Sequence, residues 1–124
     1  MKKVGSLVGA LAAAATLLLS GAAHAQDAAA VNPKTIHVTL ENDRIRVFEA
    51  VLPPGAQEQM HSHPASVFYV IQGGRVRSHG ADGKVTETEL HAGDTVYREP
   101  LTHWAENIGT TTIRLVLVEL KSPR

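Results

Sequence analysis

The chain of 124 residues contains no cysteine. That absence excludes disulfides and thiolate metal ligands, and it excludes a lipid anchor attached at a mature N-terminal cysteine. There is no excess of positive charge: twelve basic residues balance twelve acidic ones, and the arginines are dispersed. A nucleic-acid footprint, which needs a clustered basic surface, is therefore not expected. There is also no long hydrophobic run. The only extended apolar stretch, Val4 to Leu19, is rich in Ala and Gly and is short for a bilayer span, which takes about 20 strongly apolar residues. Met1-Lys2-Lys3 precedes that stretch and Ala23-His24-Ala25 follows it. A basic start, a modest apolar core and a small-x-small site together form the pattern of a secretory signal peptide, with cleavage expected after Ala25.

Removal of residues 1–25 would leave 99 residues with ten basic and twelve acidic side chains, enough for one small domain. Export without disulfides points to a periplasmic protein, or to a secreted one, with no membrane association after cleavage. Residues 26–34 (QDAAAVNPK) have no period and are expected to form a flexible leader. From residue 35 onward the chain is a single domain. No window carries the helical period, and no repeat or linker is visible. Ile36, Val38 and Leu40 alternate with His37, Thr39 and Glu41, the pattern of a half-buried strand. Pro53-Pro54-Gly55, Gly73-Gly74, Asp82-Gly83, Ala92-Gly93-Asp94 and Gly109 then punctuate a succession of about nine short strands, which argues for an all-β sandwich or barrel.

Within those strands, His61 and His63 are two residues apart and so point to one face, with Gln57 and Gln59 placed beside them if residues 57–63 form one strand. Two neutral imidazoles on one face make the start of a metal site, and His103 from another strand would complete a trio. His37, His79 and His91 read as surface or satisfied histidines. Tyr69 and Trp104 read as core or rim packing, and Asn107 as a turn residue or a support behind the site. Either Arg98 or Glu99 faces the interior; the irregular stretch before Pro100 leaves open which one.

Gly55-x5-His61-x-His63, Tyr69-Val-Ile-Gln-Gly73, Gly93-Asp94, Pro100 and His103-x3-Asn107, in that order, resemble the two motifs of the cupin superfamily. The resemblance implies a single cupin-type double-stranded β-helix, a jelly-roll barrel, with a divalent metal held by His61, His63 and His103. It also implies a homodimer formed by sheet packing. The chain departs from the family where a glutamate ligand belongs, three or four residues past the second histidine: Val67 stands there, with Phe68 next and Ser66 before it. Six residues rather than five separate Gly93 from Pro100, and the glycine usual between that proline and the histidine is missing. An all-nitrogen site suits Fe, Ni, Cu or Zn better than Mn. It retains the full double charge of the ion and so favours an anionic small-molecule ligand. Its neutral rings imply that metal is lost at acidic pH. Three functions stay open. One is a metal-dependent dioxygenase or isomerase acting on a small oxygenated metabolite. The others are a non-catalytic module that binds a small molecule or metal, and a structural protein in which the histidines are relics. No residue can be named from sequence as catalytic acid or base.

Overall fold

The computed structural model describes residues 26–122; the expected signal peptide, residues 1–25, lies outside them. A four-residue helix, α1 (Ala28–Val31), precedes nine strands: β1 (Ile36–Glu41), β2 (Ile45–Leu52), β3 (His61–His63), β4 (Ser66–Gln72), β5 (Gly74–Gly80), β6 (Val85–Leu90), β7 (Thr95–Arg98), β8 (Leu101–Asn107) and β9 (Ile113–Leu120). All the strand pairings are antiparallel. They make a five-stranded sheet in the order β1-β2-β9-β4-β7 and a four-stranded sheet in the order β3-β8-β5-β6. This is the all-β, double-sheet jelly roll expected from the strand count.

Period-two alternation assigns the two inner faces different chemistry. The larger sheet turns Phe48, Ala50 and Leu52 of β2, Phe68 and Val70 of β4, and Ile113 and Leu117 of β9 inward as one apolar cluster. The smaller sheet turns His61, His63, His103 and Asn107 inward, all of them buried. The histidines therefore face a hydrophobic wall.

The turns follow from backbone chemistry. Gly83 closes the β5–β6 hairpin at φ +85°, a conformation that side chains with a Cβ rarely adopt. Gly73 carries the chain from one sheet to the other, and a Cβ there would lie 2.0 Å from the Leu90 carbonyl oxygen. Asn107 organises the β8–β9 turn: its amide donates to the Leu52 and Thr111 carbonyls at 2.8 and 2.7 Å and its oxygen accepts from Gly109 N–H.

Two expectations need correction. Residues 26–34 are not a flexible leader. Asp27 pairs with Ser62 as a β-bridge and caps α1 by accepting from Ala30 N–H at 3.0 Å. Ala28 is wholly buried in the core. Three alanines in a row carry no visible period; Ala28 enters the core, Ala29 packs partly against it and Ala30 stays exposed. The third strand is also shorter than expected. Residues 57–60 leave the ladder apart from a single bridge between Gln57 and Glu106, so the face assigned to each of those residues shifts.

Asn32 ties this segment to the barrel. It is 6 % exposed; its Oδ1 accepts from Gln59 N–H at 2.7 Å and its Nδ2 donates to the Gln59 and Ala28 carbonyls. Asn32→Ala would leave a buried N–H without its acceptor, a loss of about 1–3 kcal/mol. Urea unfolding should show the midpoint fall accordingly with an unchanged m-value; an unchanged midpoint would show that the segment adds nothing to the fold.

Candidate metal centre

β3 and β8 bring the three histidines together. His61 lies directly opposite His103 in the ladder, and His63 follows on the same face two residues on. The ring centroids are 4.7 Å (His61–His63), 4.9 Å (His61–His103) and 5.4 Å (His63–His103) apart, with the planes steeply inclined to one another. Their ligand atoms lie within 4.8 Å of one another, so the trio can hold a metal ion.

Each ring is fixed at Nδ1 by a different partner. His61 Nδ1 donates to the Gln59 carbonyl at 2.6 Å. His63 Nδ1 donates to Glu119 Oε2 at 2.7 Å, and His103 Nδ1 lies 2.8 Å from Ser78 Oγ. A carbonyl and a carboxylate can only accept, so His61 and His63 carry their proton on Nδ1 and their lone pair on Nε2, while His103 Nδ1 and the Ser78 hydroxyl share a hydrogen bond that either can donate. An imidazole so oriented by a carboxylate or carbonyl behind it is the usual arrangement for a metal ligand. His61 Nε2 is buried and has no hydrogen-bond partner. A buried nitrogen acceptor in that state lacks a proton or a cation, and this fits the donor set of a divalent transition metal.

Burial keeps the rings neutral. It pushes His61 down to about 4 and His103 to about 3, the latter helped by the positive charge of Arg98. His63 is also lowered by burial, against the pull of Glu119. Glu119 is itself buried and is held by Arg46, whose Nε and second terminal nitrogen reach it at 2.8 and 2.7 Å. Arg46 in turn pairs with Asp27 at 2.6 Å.

The trio opens into a cavity of about 340 Å³ between the sheets, with mostly apolar walls that include Phe48, Phe68, Leu90 and Val96. Glu58 and Arg98 also line it. Of the pair left open by sequence, Arg98 is the inward one and Glu99 is exposed. Gln59, expected beside His61, contributes its backbone carbonyl, while its side chain lies on the exposed side. The break after residue 60 inverts the alternation and turns Glu58 inward instead. Burial raises the Glu58 carboxyl to about 7, against the Ala105 N–H that its Oε1 accepts at 3.1 Å and the charge of Arg98. The residue facing the cavity near the expected glutamate position is Phe68; Val67 points to the other side of β4. Tyr69, expected in the core or rim, is half exposed. Trp104 stacks on His79 at 3.8 Å, and His79 contacts Glu106; His79 and His91 take no part in the trio.

Sequence reasoning missed four residues: Asn32, Glu58, Ser78 and Glu119. Glu119 had a legible signal, because it continues the inward series Ile113, Leu115, Leu117 and is the one carboxylate in it. The others depend on a strand break or a cross-strand contact that a linear pattern does not carry.

The neutral, buried rings set a pH dependence in the metal-free protein. Unfolded histidines protonate near the ordinary value of about 6.5, whereas His61 and His103 stay neutral in the fold down to about 4 and 3. Between pH 6.5 and 4.5 the unfolded chain therefore binds more protons at these sites, and stability falls as pH falls. Glu58 opposes this, since its raised value makes the fold take up a proton from about 7 downward. Chelator-treated protein should lose urea stability progressively from pH 6.5 to 4.5, and Glu58→Gln should steepen the loss. A profile that stays flat in Glu58→Gln as well would show that the rings are not held neutral.

A cupin-domain family model matches residues 48–119, which is more than half of the chain and includes all three histidines. No functionally curated protein matches it. Among solved structures, a cupin domain from Bordetella pertussis is 26 % identical with a TM-score of 0.65, over 70 % of this chain and 92 % of its own. A conserved Klebsiella pneumoniae protein with a double-stranded β-helix domain is 27 % identical with a TM-score of 0.55, over 71 % and 84 %. A predicted oxalate decarboxylase from Thermotoga maritima shares the fold at 23 % identity and a TM-score of 0.53, over 70 % and 79 %. With the jelly roll, the histidine trio and the family match in agreement, the chain belongs to the cupin family.

Proposed function

We propose that this cupin is a metal-dependent enzyme acting on a small oxygenated metabolite, an isomerase or a dioxygenase whose reaction uses proton transfer by Glu58. The observation that carries the reading is the orientation of the trio: three buried rings, each hydrogen-bonded at Nδ1, with their ligand atoms within 4.8 Å of one another and the Nε2 of His61 buried without a partner. His61, His63 and His103 would hold the metal. The all-nitrogen donor set favours Fe, Ni, Cu or Zn. When bound, the ion supplies Lewis acidity and open coordination positions for ligand oxygens.

The chain's own residues supply the rest. The apolar wall excludes water from the cavity and strengthens the electrostatic interactions within it. Glu58 lines the same cavity, and its carboxyl, raised by burial to about 7, can hold or take a proton near neutral pH. This is the acid–base group that the sequence alone does not reveal, and it favours turnover over simple binding. We further propose export through the segment at residues 1–25. We also propose a homodimer through the larger sheet, where Tyr69, Ile71 and Tyr97 form an exposed apolar group on β4 and β7.

Metal analysis of the exported protein should find about one equivalent of a transition metal, abolished in His61→Ala/His103→Ala. Metal that is sub-stoichiometric and the same in both proteins would overturn the metal centre. Oxygen uptake and product formation over catechols, flavonols and β-diketones then test catalysis. On any substrate turned over, Glu58→Gln should lower kcat by about 10²–10⁴-fold at unchanged metal content. Tight binding without product would instead identify a non-catalytic binding protein.

A further inference from the structure

Arg98 is the residue in the cavity whose chemistry the metal centre does not use. It lies at the end of β7 with its guanidinium 5.0 Å from the centre of the Phe68 ring. This cation–π contact holds the group without using any of its N–H donors. Its Nε is buried and has no hydrogen-bond partner. Among the described residues, no carboxylate comes within 4.0 Å of it. Glu58 shares the cavity and is felt as a charge, but its Oε1 is engaged by the Ala105 N–H.

Arg46 shows what the same fold does with an arginine that serves structure. That side chain is also largely buried, and it holds two carboxylates, Asp27 and Glu119, at 2.6 and 2.7 Å. A guanidinium remains charged at any pH the fold survives. Leaving one against an apolar wall without a counter-ion is costly unless a ligand supplies it. The cavity that Arg98 lines is walled also by Phe68, Val96, Leu90 and Phe48, and its volume of about 340 Å³ is at the lower end of the roughly 300–1,000 Å³ typical of ligand sites.

We propose that Arg98 is the anion-binding residue of this cavity and that its ligand is a small monocarboxylate with an apolar body, the carboxylate on the guanidinium and the body against the larger sheet. The planar fork of Arg98 matches two carboxylate oxygens at once. This inference names the substrate class for the function proposed above and rests on that reading only in sharing its cavity, because the Arg98 site does not require the metal.

Benzoate and its neutral isostere benzamide are suitable probes, titrated by calorimetry into the full-length protein both as isolated and after chelator treatment. Benzoate should bind both forms at least tenfold more tightly than benzamide. Arg98→Gln should weaken benzoate binding by roughly 10- to 100-fold and leave benzamide binding unchanged. Arg98→Lys, which keeps the charge but not the fork, should fall between wild type and Arg98→Gln. Thermal unfolding of each variant verifies that it is folded. The proposal is overturned if benzoate does not bind at millimolar concentration, if the two probes bind alike, or if folded Arg98→Gln and Arg98→Lys both keep wild-type benzoate affinity. Metal content, measured on the same samples, separates the two readings: benzoate discrimination that survives in His61→Ala/His103→Ala upholds the anion site even if the metal centre fails.

Discussion

The hydrogen bond from His63 Nδ1 to the buried Glu119 carboxylate is the contact on which the rest of the site depends. Burying three imidazoles side by side is tolerable only if all three are neutral, and each neutral ring must place its one N–H on an acceptor. The other two rings have uncharged partners: His61 donates to the Gln59 carbonyl, and His103 shares a hydrogen bond with the Ser78 hydroxyl. His63 alone uses a full negative charge, which makes it the most basic of the three and the strongest donor to a cation. That choice brings a buried carboxylate into the barrel, and the carboxylate must be neutralised in turn.

The neutralisation runs outward through the fold. Glu119 is held by Arg46 of the neighbouring strand, Arg46 by Asp27, and Asp27 caps α1. At the far end of that short helix, Asn32 clamps the backbone of Gln59, whose carbonyl fixes His61. The segment before the first strand thus supports two of the three rings by separate routes, one electrostatic and one through hydrogen bonds. A charge network joining α1, β2 and β9 to the site would gain little on an open surface, where ion pairs contribute about 0–1 kcal/mol. Here Glu119 is fully enclosed, and loss of Arg46 would leave a buried charge unpaired.

The architecture was legible because strand alternation and turn residues are local signals. The strand at Ile36–Leu40, the Asp82-Gly83 hairpin and the spacing of His61, His63 and His103 each needed only a few consecutive residues to read, although of the alternating apolar residues of β1 only Ile36 is buried, the register shifting between Val38 and Leu40. What was hidden depended on departures from regularity. Residues 57–60 leave the ladder, and one break in parity exchanges Gln59 for Glu58 on the inner face. Residues 26–32 carry neither period because they are held by capping, a lone bridge and Asn32, none of which leaves a repeating pattern. The choice between Arg98 and Glu99 turned on register across β4, where Arg98 pairs with Ser66, and pairing between strands is not written in either strand alone.

The absent glutamate explains the remaining chemistry. The family pattern sets a carboxylate just past the second histidine; here the residue that faces the cavity is Phe68, and its ring is the surface on which Arg98 rests. A carboxylate at that place would give the metal a fourth, anionic ligand and would stand as a counter-ion beside the guanidinium. It would cancel positive charge twice. A phenyl ring does neither: it supports the cation by its π face while leaving the charge uncompensated. Glu119 is already committed to Arg46 and His63, and Glu58, raised to about 7 by its burial, is only partly ionised near neutral pH and makes no ion pair with Arg98. With Val67 at the expected glutamate position and Phe68 the neighbour that faces the cavity, the all-nitrogen donor set and the anion site proposed for Arg98 both trace to the absence of one carboxylate.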